Sequence, residues 1–275
     1  MQKPRFPITD DHIHIDPDRG IGMKAVREFA RSGGTHLFLV TKPSWSYGIT
    51  PTIPEDFRMV FEKTIALAEE CCREGVVAFP VLGVHPAEIS RMIGRMSLAE
   101  AENLMIGALE LAARFVKEGS AIALKSGRPH YEVESAVWDA SNRVLYASLE
   151  SAADCDCAVQ LHAESGPCAD VVEMAQKAGV PVSRVVKHFA TPDTPLHPSF
   201  IAKDDCIADA ARDGRPFTME SDYMDERDRP GSVLGPRSVP RFTLRHLEAG
   251  TFTEEDIWRI HALVPRDVYH VEISL

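Results

Sequence analysis

Eight short apolar runs, interleaved along most of the chain with stretches of helical periodicity, limit what this chain can fold into more than any other feature. The runs are ITDDHIHI (8–15), THLFLVT (35–41), VVAFPVLGV (76–84), SAIALK (120–125), CAVQLHA (157–163), VSRVVKHF (182–189), SFIA (199–202) and PFTMESD (216–222). Several are almost unbroken in apolar residues, as expected of parallel strands covered on both faces. The seventh is weak and rests on the count as much as on its pattern. Helical patterns fill the gaps at 23–34, 54–75, 97–119, 134–153, 168–179, 204–214 and 253–263. The third of these opens on Ser97 and Glu100, a capping box, and stops at Gly119. Strand then helix, about eight times over, predicts an α/β chain folded as a single (β/α)8 TIM barrel, one domain over residues 1–275. The length suits a fold that takes roughly 250 residues. A doubly wound open sheet is the alternative, but no G-x-G-x-x-G follows the first strand.

Composition narrows the function classes. The net charge of −11 disfavours a protein that grips duplex DNA through many phosphates, because such affinity needs clustered Lys and Arg. It leaves room for a small phosphate ester, particularly if bound cations reverse the local field. No run approaches the ~18 apolar residues of a membrane span, and MQKPRFPITDDH lacks the apolar core of a signal peptide. The expectation is a cytoplasmic protein without a membrane partner. The six cysteines form no C-x-x-C pair, which fits reduced, partly buried thiols.

Barrels of this kind carry their chemistry at the carboxyl ends of the strands. Those ends hold His12 and His14 on the first run, His85 after the third, Lys125 at the fourth with Arg128 and His130 just beyond, His162 on the fifth, His188 on the sixth and Asp222 on the eighth. Side chains two apart on a strand share a face, so His12 and His14 form half of a metal site. Any one of these histidines is as readily a buried ring bonded to a backbone carbonyl. Six ligand-type residues at matching positions favour a metal site.

The order and spacing of these motifs resemble the TatD-related metal-dependent hydrolases of the amidohydrolase superfamily, over nearly the full length. D-x-H-x-H-x-D at Asp10, His12, His14 and Asp16 matches the family's opening, GVHPAE (83–88) is similar to its third-strand motif, and RPGSVLGPRSVPR (229–241) is similar to the loop after its last strand. The resemblance implies two divalent ions, zinc first with manganese, iron, nickel or magnesium as alternatives. It implies one ion on His12, His14 and Asp222 and another on His162 and His188. Asp222 is then the catalytic residue that takes a proton from the attacking water and returns it to the leaving group.

One position departs from the family, which places a metal-bridging glutamate where this chain has Lys125. An ammonium beside two divalent cations is strongly repelled, by about 4 kcal/mol for one unit-charge pair ~4 Å apart at an effective dielectric near 20. Reaction of the neutral amine with carbon dioxide, giving a bridging carbamate as in other amidohydrolase branches, relieves the conflict. The alternatives are a lysine replacing one ion's charge, or a lysine turned away from a single weak metal.

His85, Arg128 and His130 are the candidate substrate contacts. Residues 227–246 hold five arginines against one acid, either a greeting surface for an anionic substrate or a solvated loop pairing with Asp225 and Glu226. Trp45 can stack on a base or plug its loop, and Glu164 and Glu220 are candidate partners of the ligands. The leading expectation is a nuclease or phosphodiesterase acting on a small molecule or short single-stranded nucleic acid. A carboxylated-lysine hydrolase of a lactone, amide or phosphotriester is the second reading, and a catalytically silent barrel that binds metal or a partner is the third. The sequence does not fix the oligomeric state.

Overall fold

The structure, a computed structural model, describes residues 5–226 and 233–275. Among the described residues, nine parallel strands are separated by helical segments except between the sixth and seventh and between the eighth and ninth: β1 (Thr9–His14), β2 (His36–Val40), β3 (Val77–Gly83), β4 (Ala123–Gly127), β5 (Ala158–His162), β6 (Val185–Lys187), β7 (His197–Ile201), β8 (Thr218–Glu220) and β9 (Tyr223–Met224). All eight expected strands are present, the weak seventh included. The two-residue β9 is an addition. The chain packs as two compact units, one of Met1–Leu39, Ala66–Phe79 and Pro198–Leu275, the other of Val40–Ile65 and Pro80–His197.

In the second unit, β3, β4, β5 and β6 pair in parallel, with Gly83 opposite Lys125, Lys125 opposite Gln160 and Gly127 opposite His162. Because side chains alternate along a strand, Leu124, Val159 and Leu161 turn into an apolar core while Lys125, Gly127, Gln160 and His162 share the other face. The core is covered by α4 (Leu98–Lys117) and α5 (Ser135–Cys155), preceded in the chain by α1 (Met23–Arg31), α2 (Arg58–Arg73) and α3 (Ala87–Met92). The capping box is formed: the Ser97 N–H donates to Glu100 (2.8 Å) and the Glu100 N–H donates to Ser97 Oγ (3.3 Å). Two glycines on this face are obligatory for space. A Cβ at Gly83 would stand 1.8 Å from the Lys125 carbonyl oxygen, and one at Gly127 would stand 1.7 Å from that of His162.

In the first unit, β1 pairs with β2 on one side and with β9 on the other, and β7 pairs with β8. Its apolar core joins Ile13, Val26, Phe29, Leu37 and Leu39. After α6 (Asp170–Ala178) and α7 (Cys206–Arg212), the chain enters α8 (Ser238–Glu248), where a loop was expected. Val239 and Thr243, four apart, bury one face of that helix and explain it. Arg227 and Arg229, with the first residues of 229–241, lie outside the described residues. Arg237 instead pairs with Glu28 (3.5 Å), and Arg245 lies over the Phe242 ring.

The last helical stretch runs past the expected end at 263, through α9 (Glu254–Trp258), a wide turn over Arg259–Leu263 and α10 (Val264–Tyr269). Pro265 has no N–H to offer the His261 carbonyl four residues back. The Thr9 hydroxyl donates to that carbonyl instead (2.6 Å), fastening this turn to β1. Among the described residues, no helix is long and apolar enough to cross a membrane. All six cysteines are free thiols.

Candidate functional site

In the first unit, alternation along β1 puts His12 and His14 on one face, both buried, with their Nε2 atoms 3.2 Å apart and their rings edge to face. Two nitrogens bound to one ion at about 2.0–2.1 Å stand ~3.3 Å apart when the angle is tetrahedral. Asp222 is brought to the same strand end by its N–H, which donates to the His12 carbonyl (3.0 Å). Asp222 adopts the left-handed region (φ 45°), a conformation that aspartate tolerates better than most residues.

Behind these residues lie buried acids. The Asp10 carboxylate accepts from the N–H groups of Ser221 (3.0 Å) and His12 (3.3 Å). Burial pushes its pKa up to about 8, although the bonds from Ser221 pull the other way. Asp11 accepts from the hydroxyls of Thr218 (3.0 Å) and Tyr269 (3.1 Å), and burial together with the Glu220 charge pushes it up to about 7.

Sequence reasoning missed the role of Asp225, which entered only as a candidate partner for the arginines. It is buried, and its carboxylate accepts from the N–H groups of Asp16 (3.0 Å), Ile21 (2.7 Å) and Gly22 (2.9 Å) and from the Tyr223 hydroxyl (2.9 Å). It thereby ties down the loop that leaves β1. Its place three residues past the eighth apolar run is a weak hint in the sequence, and burial there is a tertiary fact.

In the second unit, four imidazoles collect around His162. Its ring centroid lies 4.5 Å from that of His85, 5.0 Å from His130 and 5.4 Å from His188, the last pair stacked. Burial, then the charges of His85, His188, Lys125 and His130, hold His162 well below the usual histidine range, so its ring is neutral and able to bind a cation. Lys125 is 1% exposed and shares the strand face of Gly127. The Ala87 N–H donates to His85 Nδ1 (3.1 Å), which leaves the neutral ring's proton on Nε2 and makes that edge a donor.

Arg128, expected at the substrate, is 3% exposed in its side chain and fully engaged within the protein. Its Nε–H donates to Glu164 (2.8 Å). One terminal nitrogen serves Asp170 (2.5 Å) and Asn142 (3.1 Å), and the other serves Asp170 (3.0 Å) and Glu164. All five N–H donors of the guanidinium are thereby used, and the group also lies over the Trp138 ring, 4.7 Å from its centroid. The geometry makes Arg128 and Glu164 a clamp joining the ends of β4 and β5. Trp45 has its face covered by Arg91 (4.4 Å) and meets the His85 ring at 5.9 Å.

Residues 9–270 match the model of the family described as TatD related DNase. The chain is 34% identical over 288 residues to the uncharacterized protein MJ1127 of Methanocaldococcus jannaschii, covering 98% of each. Among solved structures, it is similar to YJJV, a TatD homolog from Escherichia coli (TM-score 0.66, 16% identity, 96% of this chain and 98% of that one). It is also similar to a mutant of a PTE-like lactonase from Deinococcus radiodurans (TM-score 0.60, 13% identity, 97% and 96%). These likenesses, with the succession of parallel strands and helices along the chain, give the fold class as α/β of the TIM-barrel type.

Proposed function

Because the chain belongs to the TatD-related DNase family, a family of hydrolases, we propose that it is a metal-dependent hydrolase of phosphodiester bonds. The observation that carries the metal is the 3.2 Å approach of His12 Nε2 to His14 Nε2, with Asp222 fastened to the same strand end. The donor set fits a borderline divalent ion, zinc first and manganese, iron, nickel or magnesium after it, since it mixes imidazole nitrogen with carboxylate oxygen. In this reading His12, His14 and Asp222 would hold one ion. His162 and His188 would hold a second, and Lys125, as a carbamate, would supply oxygen. Bound ions supply Lewis-acid polarisation and lower the pKa of water.

The protein's own residues do the rest. Asp222 takes the proton of the attacking water and returns it to the leaving oxygen. His85, whose Nδ1 accepts from Ala87, is a candidate contact for a substrate oxygen. Arg128 contributes by fixing the strand ends. The substrate class is a small phosphodiester or the end of a short single strand, and the whole chain acts as one catalytic domain.

A second reading, hydrolysis of a lactone, amide or phosphotriester, is favoured by the burial of Lys125 on the His162 face of the sheet. Burial favours the neutral amine that carboxylation needs. Elemental analysis of the purified chain, followed by assay against single-stranded oligonucleotide, bis-p-nitrophenyl phosphate and a lactone panel, separates the two. Metal-dependent turnover of the phosphodiesters is the expected result. Lactone turnover that depends on bicarbonate after metal stripping in low carbon dioxide supports the second, and tight metal with silence on every panel overturns both.

A further inference from the structure

Arg91 and Arg128 each lie over a tryptophan, but only Arg128 has spent its donors. Its guanidinium covers Trp138 and is bonded to Glu164, Asp170 and Asn142. The exposed Arg91 guanidinium lies 4.4 Å from the centroid of Trp45, and its N–H groups meet no acceptor among the described residues. A cation over a ring makes no hydrogen bond to an oxygen, so the five donors of this fork stay available. The indole N–H of the half-buried Trp45 likewise has no acceptor among the described residues.

The pair is held in place by bonds of its own neighbours. Glu88, three residues before Arg91 on α3, is buried, and its carboxylate oxygens accept from the N–H (2.7 Å) and the hydroxyl (2.9 Å) of Ser44. Ser44 opens the tight turn Ser44–Tyr47, which carries Trp45. Ser90, beside Arg91, has its Oγ 2.7 Å from the hydroxyl of Tyr131 in the segment after β4. The short helix is thus fastened to the loops after β2 and β4. Trp45 meets the His85 ring edge to face at 5.9 Å, and His85 lies 4.5 Å from His162, so the pair stands one ring away from the His162 cluster.

We propose that Arg91, backed by Trp45, is a specificity-determining residue that binds a second phosphate of the substrate, next to the phosphodiester being cut. The inference rests on the phosphodiesterase reading above. It narrows the substrate to a nucleotide or short strand that carries a further phosphate, a group whose oxygens suit a planar fork of donors.

The test uses the full chain and dithymidylate, either plain or carrying a terminal phosphate at its 5′ or its 3′ end. Binding is measured by calorimetry with a chelator present, and turnover is measured separately with divalent metal added. Wild type is expected to bind one phosphorylated form about 10-fold more tightly than the plain dinucleotide, with the same preference in kcat/KM expressed in KM. Arg91→Met, which keeps the stem over Trp45, should lose that preference, and Arg91→Lys should recover part of it. Thermal melts check that both variants are folded. Equal binding of all three probes by wild type, or the full preference persisting in folded Arg91→Met, overturns the Arg91 assignment alone. Failure of wild type to cleave any of the probes overturns the phosphodiesterase reading, and the binding ratios still decide whether Arg91 selects the phosphate.

Discussion

Replacing Arg128 with methionine keeps most of the buried stem and removes the guanidinium that joins the ends of β4 and β5. The side chain is 3% exposed, whereas Glu164 and Asp170 are 34% and 60% exposed. Breaking a fully buried ion pair costs about 3–5 kcal/mol, because a charge is stranded away from water. Here the stranded carboxylates reach solvent, so that figure is discounted. What remains is five hydrogen bonds from a buried cation and its contact with Trp138, the latter worth about 0.5–1 kcal/mol. The expected loss is about 2–3 kcal/mol in urea unfolding, or a fall in Tm of roughly 4–12 °C. Arg128→Lys should recover less than half, because a compact ammonium cannot face two carboxylates bidentately. Glu164→Gln should cost only about 1 kcal/mol, since Asp170 and Asn142 still hold the guanidinium. An Arg128→Met chain within about 0.5 kcal/mol of wild type would refute the clamp.

Gly127→Ala forces a shift of about 1.3 Å, since its Cβ would start 1.7 Å from the His162 carbonyl and such contacts are not seen below 3.0 Å. It should lose about 1–3 kcal/mol of stability and weaken metal uptake in calorimetry, and unchanged binding would separate strand spacing from the site. Asp225→Ala strands three N–H groups of the loop after β1 and should cost about 2–4 kcal/mol. Amide exchange confined to residues 15–22 is the expected signature, and unaltered protection there would count against the latch. Burial holds the buried His36 and His261 at about 4 instead of 6.5. The unfolded chain therefore binds more protons between pH 6.5 and 4, and stability falls as pH drops through that window, by at most about 3 kcal/mol for each ring. His261→Gln should flatten the slope of unfolding free energy against pH by about 1.4 kcal/mol per unit there, and an unchanged slope would sink the claim.

The fold was legible because it is written locally. Ser97 and Glu100 announce α4, the apolar runs announce the strands, and the alternation of the two leaves few topologies. The boundaries missed have tertiary causes. Residues 182–184 form a tight turn before β6, after Pro181, and α8 forms because Val239 and Thr243 find a buried surface that no window of sequence displays. The extension past residue 263 depends on Thr9 satisfying the His261 carbonyl from across the unit.

The site was legible only as far as identity and strand position go. Alternation along β1 correctly pairs His12 with His14, since a period of two is a local property. It cannot say which groups His85, His130 and His162, which follow or end separate strands, will meet. Their nitrogen partners are set by the fold. His85 Nδ1 accepts from Ala87, two residues away, while His130 Nδ1 meets His162, 32 residues away. Arg128 shows the same limit in the opposite direction. A cation beside a strand end invites an anionic substrate, yet Glu164 and Asp170, 36 and 42 residues along the chain, claim it. A residue's type says which chemistry it can perform, and its hydrogen-bond partners decide whether any capacity is left for a ligand.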